Sequence, residues 1–190
     1  MTPLLPRPVL HMVCGKIGAG KSTLMRQLAE APATVLISED AWLAALYPGE
    51  IHELPDYVRC AGRLKQAMAD HVAGLLKAGV SVVLYFPANT VTSRRWMRGI
   101  FEAAGAAHRL HFLDVPDEVC RQRLRARNAS GTHPFETTDE QFELISSHFA
   151  APSPGTISTA GSACGPWPRS ITPIATSVPV TNRSISAVSP

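Results

Sequence analysis

The chain has 190 residues, 45% of them hydrophobic and 17% charged, which is enough apolar content for one compact domain with a core of its own and excludes a disordered polyelectrolyte. Its net charge of +3 is unevenly spread: residues 151–190 carry Arg169 and Arg183 and no acid, so the rest is nearly neutral, unlike a dedicated duplex DNA binder. Cys14, Cys60, Cys120 and Cys164 are scattered without zinc spacing, which fits reduced thiols of a cytoplasmic protein.

Taken in chain order, Val9 to Cys14 is an apolar run entering a glycine-rich turn and predicts a buried strand, far too short to span a membrane. The N-terminus lacks the order of a signal peptide. Lys21 to Glu30 has helical spacing and stops before Pro32. Ala33 to Ile37 predicts a second strand, followed by a short helix from Ala41. The longest helix spans Leu54 to Lys77, with Ala61, Leu64, Met68, Val72 and Leu75 on its apolar face and Gly79 at its C-terminal cap. Val80 to Phe86 is the most β-like run and predicts a central strand.

A helix over Val91 to Ala104, a strand over Arg109 to Leu113 and a helix from Pro116 to about Arg127 follow. Asn128 to Thr138 reads as a loop and Asp139 to Phe149 as a closing helix. This alternation predicts an α/β domain over residues 1–150, three layers deep, a parallel sheet with helices on both faces. Over residues 151–190, Pro, Ser, Thr and Gly supply 23 of 40 positions without amphipathic period, which predicts a disordered or aberrant tail.

Gly15-Lys16-Ile17-Gly18-Ala19-Gly20-Lys21-Ser22 matches G-x-x-x-x-G-K-[ST] in full, between a strand and a helix, with Thr23 next. Glycines let backbone N–H groups turn towards phosphate oxygens, and the helix N-terminus adds its dipole. The pattern assigns the β- and γ-phosphates of a nucleoside triphosphate, ATP first, to Lys21 and Mg²⁺ to the Ser22 hydroxyl. Lys16 occupies the place of the extra lysine of partitioning-type ATPases, although Ile17 departs from their paired glycines. No N-K-x-D for guanine is present.

Ser38-Glu39-Asp40 leaves the second strand at the carboxyl edge of the sheet, where ligands bind in open α/β folds. Asp40 is the candidate base for a hydroxyl acceptor, with Glu39 as understudy, against a plain helix cap at Asp40. Of Arg121, Arg123, Arg125 and Arg127, the pair Arg123 and Arg127 shares a face and is the candidate clamp on transferring phosphate, the other two a solvated basic face. Arg94, a cation in the first turn of a helix, calls for a phosphate or acceptor partner. Asn89 and Thr90 suit either ligand contact or capping. Trp42 and Trp96 are candidates for the acceptor pocket or the core, His133 is a loop histidine near phosphate or solvent, and Asp114 could pass for a Walker-B acid but reads better as a cap for the following helix.

The loop Gly15–Thr23, the stretch Ile37–Trp42 and the run Cys120–Asn128 together resemble the small P-loop kinases, within them the "predicted kinase" AAA-type proteins related to zeta toxins, chloramphenicol phosphotransferase and polynucleotide 5′-hydroxyl kinase. The resemblance spans about residues 9–149. It implies a five-stranded parallel sheet, Mg·ATP-dependent phosphorylation of an unidentified hydroxyl acceptor, Asp40 as base and Arg123 and Arg127 flanking a lid. Two departures stand out. Tyr85 ends the third strand where such relatives commonly carry an Asp for Mg²⁺, which raises an impaired ATP-binding module or slow ATPase switch as the alternative. The Pro/Ser/Thr-rich stretch stands where a fifth strand is implied, so the last strand is expected to be missing, through a shifted reading frame or a replaced C-terminus.

Overall fold

A computed structural model describes residues 7–130 and 137–152. Four strands, β1 (Val9–Gly15), β2 (Thr34–Ser38), β3 (Ser81–Tyr85) and β4 (Ala107–Leu113), form one parallel sheet in the order β2-β3-β1-β4. Six helices connect and follow them: α1 (Lys21–Ala29), α2 (Glu39–Leu46), α3 (Leu54–Lys77), α4 (Val91–Ala104), α5 (Asp117–Ala129) and α6 (Asp139–Ser147). The fifth strand implied by the resemblance has no counterpart among the described residues. The tail assigned to 151–190 lies outside them from residue 153 on, as do Cys164, His133 and most of the 128–138 loop.

Each inner strand is apolar on both faces because helices cover both. Leu10, Met12 and Cys14 of β1 join Val82 and Leu84 of β3 in a large core under α3 and α4. Val13 and Val83 point the other way and pack with Met25 of α1. In α3 the buried row runs Ala61, Leu64, Met68, Val72 and Leu76. The sequence spacing placed Leu75 there; repeated four-residue steps carry the stripe to Leu76 instead and leave Leu75 partly packed.

Several boundaries move by physical cause. The helix expected from Ala41 starts at Glu39, because the Ser38 hydroxyl accepts from Ala41 N and takes the cap, so Asp40 is not one. Thr90 caps α4 by accepting from Ser93 N at 3.1 Å. Asp114 caps nothing: α5 begins after Pro116 with no side-chain cap. Thr138 and Gln141 form a reciprocal capping box on α6, which ends at Ser147. α5 extends to Ala129, past the expected stop.

The sheet places the C-terminal ends of β1, β2 and β3 together. Ser38 registers with Tyr85, and Gly15 registers with Leu113 on the other side of β1. α6 contributes Phe142, fully buried with Cys120 and Leu124 of α5 and Ala19 of the β1–α1 loop. Phe142→Ala is expected to lower stability by roughly 3–5 kcal/mol, the usual cost of emptying an aromatic site. Urea denaturation checks this, and a loss under 1 kcal/mol would mean that α6 is not part of the cooperative unit.

Candidate nucleotide site

The loop between β1 and α1 is shaped by what packs against it. Gly18 has φ +80°, and a Cβ there would stand 2.6 Å from the Cys120 carbonyl oxygen of α5. Gly20, at φ +97°, is the N-cap of α1 and offers no side-chain cap, so the first N–H groups of α1 are left to the loop. A methyl at Gly18 must displace α5 backbone. Gly18→Ala is therefore expected to weaken ATP binding about tenfold or more, beyond the roughly 1–3 kcal/mol of backbone strain. Isothermal titration beside thermal unfolding separates the two effects.

Lys21 Nζ donates to the carbonyls of Gly15 and Lys16, each at 2.7 Å. No carboxylate ion-pairs with it among the described residues. Burial pulls its ammonium down to about 8, while nearby negative charge, Asp40 included, holds it up. Lys16 is turned outward and ion-pairs with Asp117 at the start of α5, a use within its own chain. That pair anchors the loop to α5 by charge as Gly18 does by shape.

Asp40 is exposed in the first turn of α2, near enough that its charge is felt at Lys21 and Tyr85. Glu39, the understudy, turns inward instead. It is 1% exposed, accepts from the Tyr57 hydroxyl at 3.0 Å and faces Lys65 at 3.8 Å. Burial raises its carboxyl above the ordinary range, so it belongs to the core and not to the edge.

Tyr85 lies beside Ser22. Burial raises its phenol above its ordinary value, Ser22 hydrogen bonding pulls it back, Asp40 adds to the rise, and the cations Arg26 and Arg127 oppose it. The phenol is thus neutral near pH 7 and no substitute for a carboxylate on a hard cation.

The arginines of α5 divide by face. Arg123 Nη1 donates to the Ala19 carbonyl at 3.2 Å and stands 3.7 Å from where a Gly20 Cβ would be. Arg127 donates to Thr137 Oγ1 at 3.0 Å, and its Nε is buried without a partner among the described residues. Arg121 and Arg125 lie in exposed ion pairs on the side expected to be a solvated basic face. They pair with Glu143 and Asp139 of α6, and Arg121 also covers the Phe142 ring at 4.6 Å. Trp42 is exposed with Ala41 and Ala45 around a shallow depression. Trp96 packs on Phe86 under Lys65, in the core.

Arg94, for which the sequence suggested phosphate, is buried beneath the sheet edge and donates to backbone carbonyls. Asn89 had two readings. Its side chain accepts from Gly15 N at 3.1 Å, a contact with the cradle itself that residue spacing could not reveal.

The sequence model of a family described as "AAA domain" matches residues 10–152. The chain belongs to that family. No curated protein sequence matches it. Among solved structures, a "putative kinase" from Chloroflexus aurantiacus is 21% identical, with TM-score 0.59, over 73% of this chain and 75% of that one. The Pnkp1/Rnl/Hen1 RNA repair complex holds a chain 21% identical, TM-score 0.59, matched over 77% of this chain and 45% of its own length. The Mycobacterium tuberculosis APS kinase CysC, solved with AMPPNP and APS, is 21% identical, TM-score 0.52, over 77% and 84%. These likenesses establish the α/β fold of P-loop NTPases. No helix among the described residues is long and apolar enough to cross a membrane.

The lowered Lys21 pKa fixes the sign of a pH effect. Between about pH 8 and the unfolded lysine value of 10.5, the unfolded chain binds the extra proton, so stability rises with pH in that window. Phosphate binding needs the charged lysine and is expected to weaken over the same interval. Paired urea titrations of wild type and Lys21→Met at pH 7.5 and 9.5 check it: wild type should gain on the variant at the higher pH.

Proposed function

We propose that the protein is a kinase that transfers the γ-phosphoryl group of ATP to a hydroxyl of a small-molecule or nucleotide-type acceptor. The observation that carries this reading is Lys21, desolvated in a glycine-lined loop and satisfied, among the described residues, by two backbone carbonyls. Such a cation gains most from a polyphosphate that also collects the N–H groups of the loop and of α1. The family match and the kinases among the similar structures support it.

On this reading Gly15 to Thr23 cradle the phosphates, and Lys21 reaches the β- and γ-groups. Asp40 accepts the proton of the acceptor hydroxyl as its oxygen attacks the γ-phosphorus and the bond to the bridging oxygen of ADP breaks. Arg123 beside Gly20 and Arg127 beyond it stabilise the charge on the transferring group. The donor set suits Mg²⁺ sparingly: Ser22 would hold the ion, with phosphate oxygens and water completing its shell. When bound, the ion neutralises charge between the β- and γ-phosphates. The described cysteines, Cys14, Cys60 and Cys120, are free and buried, in keeping with a cytoplasmic place.

One observation favours a second reading, an ATP-binding module or slow switch. Tyr85 puts a neutral phenol beside Ser22, in the position where an acid would help hold the ion. ATP affinity and phosphoryl transfer to a panel of hydroxylated acceptors separate the two. Lys21→Ala should weaken ATP binding about tenfold or more, as loss of a charge-assisted contact does. Asp40→Asn should leave ATP affinity within about twofold and slow transfer about 10²- to 10⁴-fold. If wild type binds ATP and transfers nothing while Tyr85→Asp turns over, the module reading replaces the kinase. Unchanged ATP affinity in Lys21→Ala would remove both.

A further inference from the structure

Arg94 has no ordinary reason to be where it is. It sits in the first turn of α4, the positive end of the helix dipole, and is 2% exposed. No carboxylate pairs with it among the described residues, and its Nε and Nη2 find no hydrogen-bond partner there. An apolar side chain of similar volume would fill the space without desolvating a charge. The explanation has to lie in what Nη1 holds.

Nη1 donates to two carbonyls from different parts of the chain, Ala88 at 2.9 Å and Ala150 at 2.8 Å, and lies 4.0 Å from Cys14 Sγ. Between those carbonyls stands Asn89. Its own carbonyl accepts from Ala150 N at 2.9 Å, and its side-chain oxygen accepts from Gly15 N at 3.1 Å. Ala88 N in turn donates to Val13 O at 3.4 Å. The β3–α4 loop is therefore pinned on one side to the chain following α6 and on the other to the end of β1. Gly15, the first residue of the phosphate loop, receives the last contact of this circuit.

We propose that Arg94 is a positioning residue for the nucleotide cradle: its Nη1, shared between the Ala88 and Ala150 carbonyls, holds Asn89 so that the Asn89 amide oxygen fixes the Gly15 N–H and the direction in which the loop leaves β1. The role rests on the reading of this loop as an ATP site. It also ties the stretch after α6 to the cradle by two routes, the Arg94 guanidinium and the direct bond from Ala150 N to the Asn89 carbonyl. Both bonds leave the one nitrogen, Nη1, and an ammonium can also serve two carbonyls, as Lys21 does, so a lysine at this position is the conservative rescue.

ATP affinity by titration calorimetry, with amide hydrogen exchange at Gly15 in the nucleotide-free protein, tests this on wild type, Arg94→Met, Arg94→Lys, Asn89→Ala and the Arg94→Met/Asn89→Ala double variant. Arg94→Met and Asn89→Ala should each weaken ATP about tenfold and speed Gly15 exchange, and Arg94→Lys should recover part of both losses. The double variant should be no weaker than the weaker single one, as expected of two residues acting in series. The proposal is overturned if Arg94→Met binds ATP and protects Gly15 like wild type, or if the single losses multiply in the double. Should Arg94→Met fail to fold, Asn89→Ala decides: wild-type affinity and Gly15 protection in that variant sink the proposal. If wild type binds no ATP, the kinase reading falls, and Gly15 exchange alone judges the clamp.

Discussion

The contact on which the rest depends is the approach of α5 to the phosphate loop, closer than any side chain permits. At Gly18 the loop backbone touches the Cys120 carbonyl, with Leu124 one turn further along the helix. Everything that α5 brings to the edge of the sheet is placed by that approach. Arg123 reaches the Ala19 carbonyl because Cys120 and Leu124 bury the adjoining face of the helix against Ala19 and Phe142. The loop is thus a seam between the sheet and α5, held on one side by Lys16 and Asp117 and on the other by Asn89.

Charge is distributed along α5 by helical geometry. Residues four apart share a face, so Arg121 and Arg125 meet the acids of α6 while Arg123 reaches the Ala19 carbonyl of the loop and Arg127 reaches Thr137. The first pair stitches two helices together, and exposed pairs of that kind contribute little stability each. The rotation of α5 is set by the burial of Cys120 and Leu124 against Ala19 and Phe142. Four arginines that look alike in sequence thereby acquire two occupations.

Much of the fold was legible in the sequence because its signals are local. Glycines, the Lys-Ser pair and the apolar run of β1 identify the loop by themselves, and the strand–helix alternation yields a parallel sheet in outline. What could not be read was long-range or competitive. Ser38 and Asp40 are both good caps, and only the observed turn shows which wins. Glu39 adjoins a candidate base and looked available, yet Tyr57 and Lys65, supplied by α3, draw it into the core. Arg94 and Asn89 are five residues apart in sequence, but their joint meaning depends on Gly15 and Ala150, which no local pattern connects to them.

The two carbonyls that receive the Lys21 ammonium carry a consequence for selectivity. The lysine is already solvated by its own loop, at Gly15 and Lys16, so an incoming anion has to displace good partners and not water. A charge-assisted bond of this kind is worth on the order of 1.5–3 kcal/mol. Chloride offers a single point of attraction in exchange, whereas a tetrahedral oxyanion also reaches the loop amides. A chain of phosphates repays the exchange several times over, on the loop amides and the α1 terminus as well as on the lysine. The lysine contact thus favours an anion long enough to reach the loop amides and the α1 terminus together over one that meets the ammonium alone.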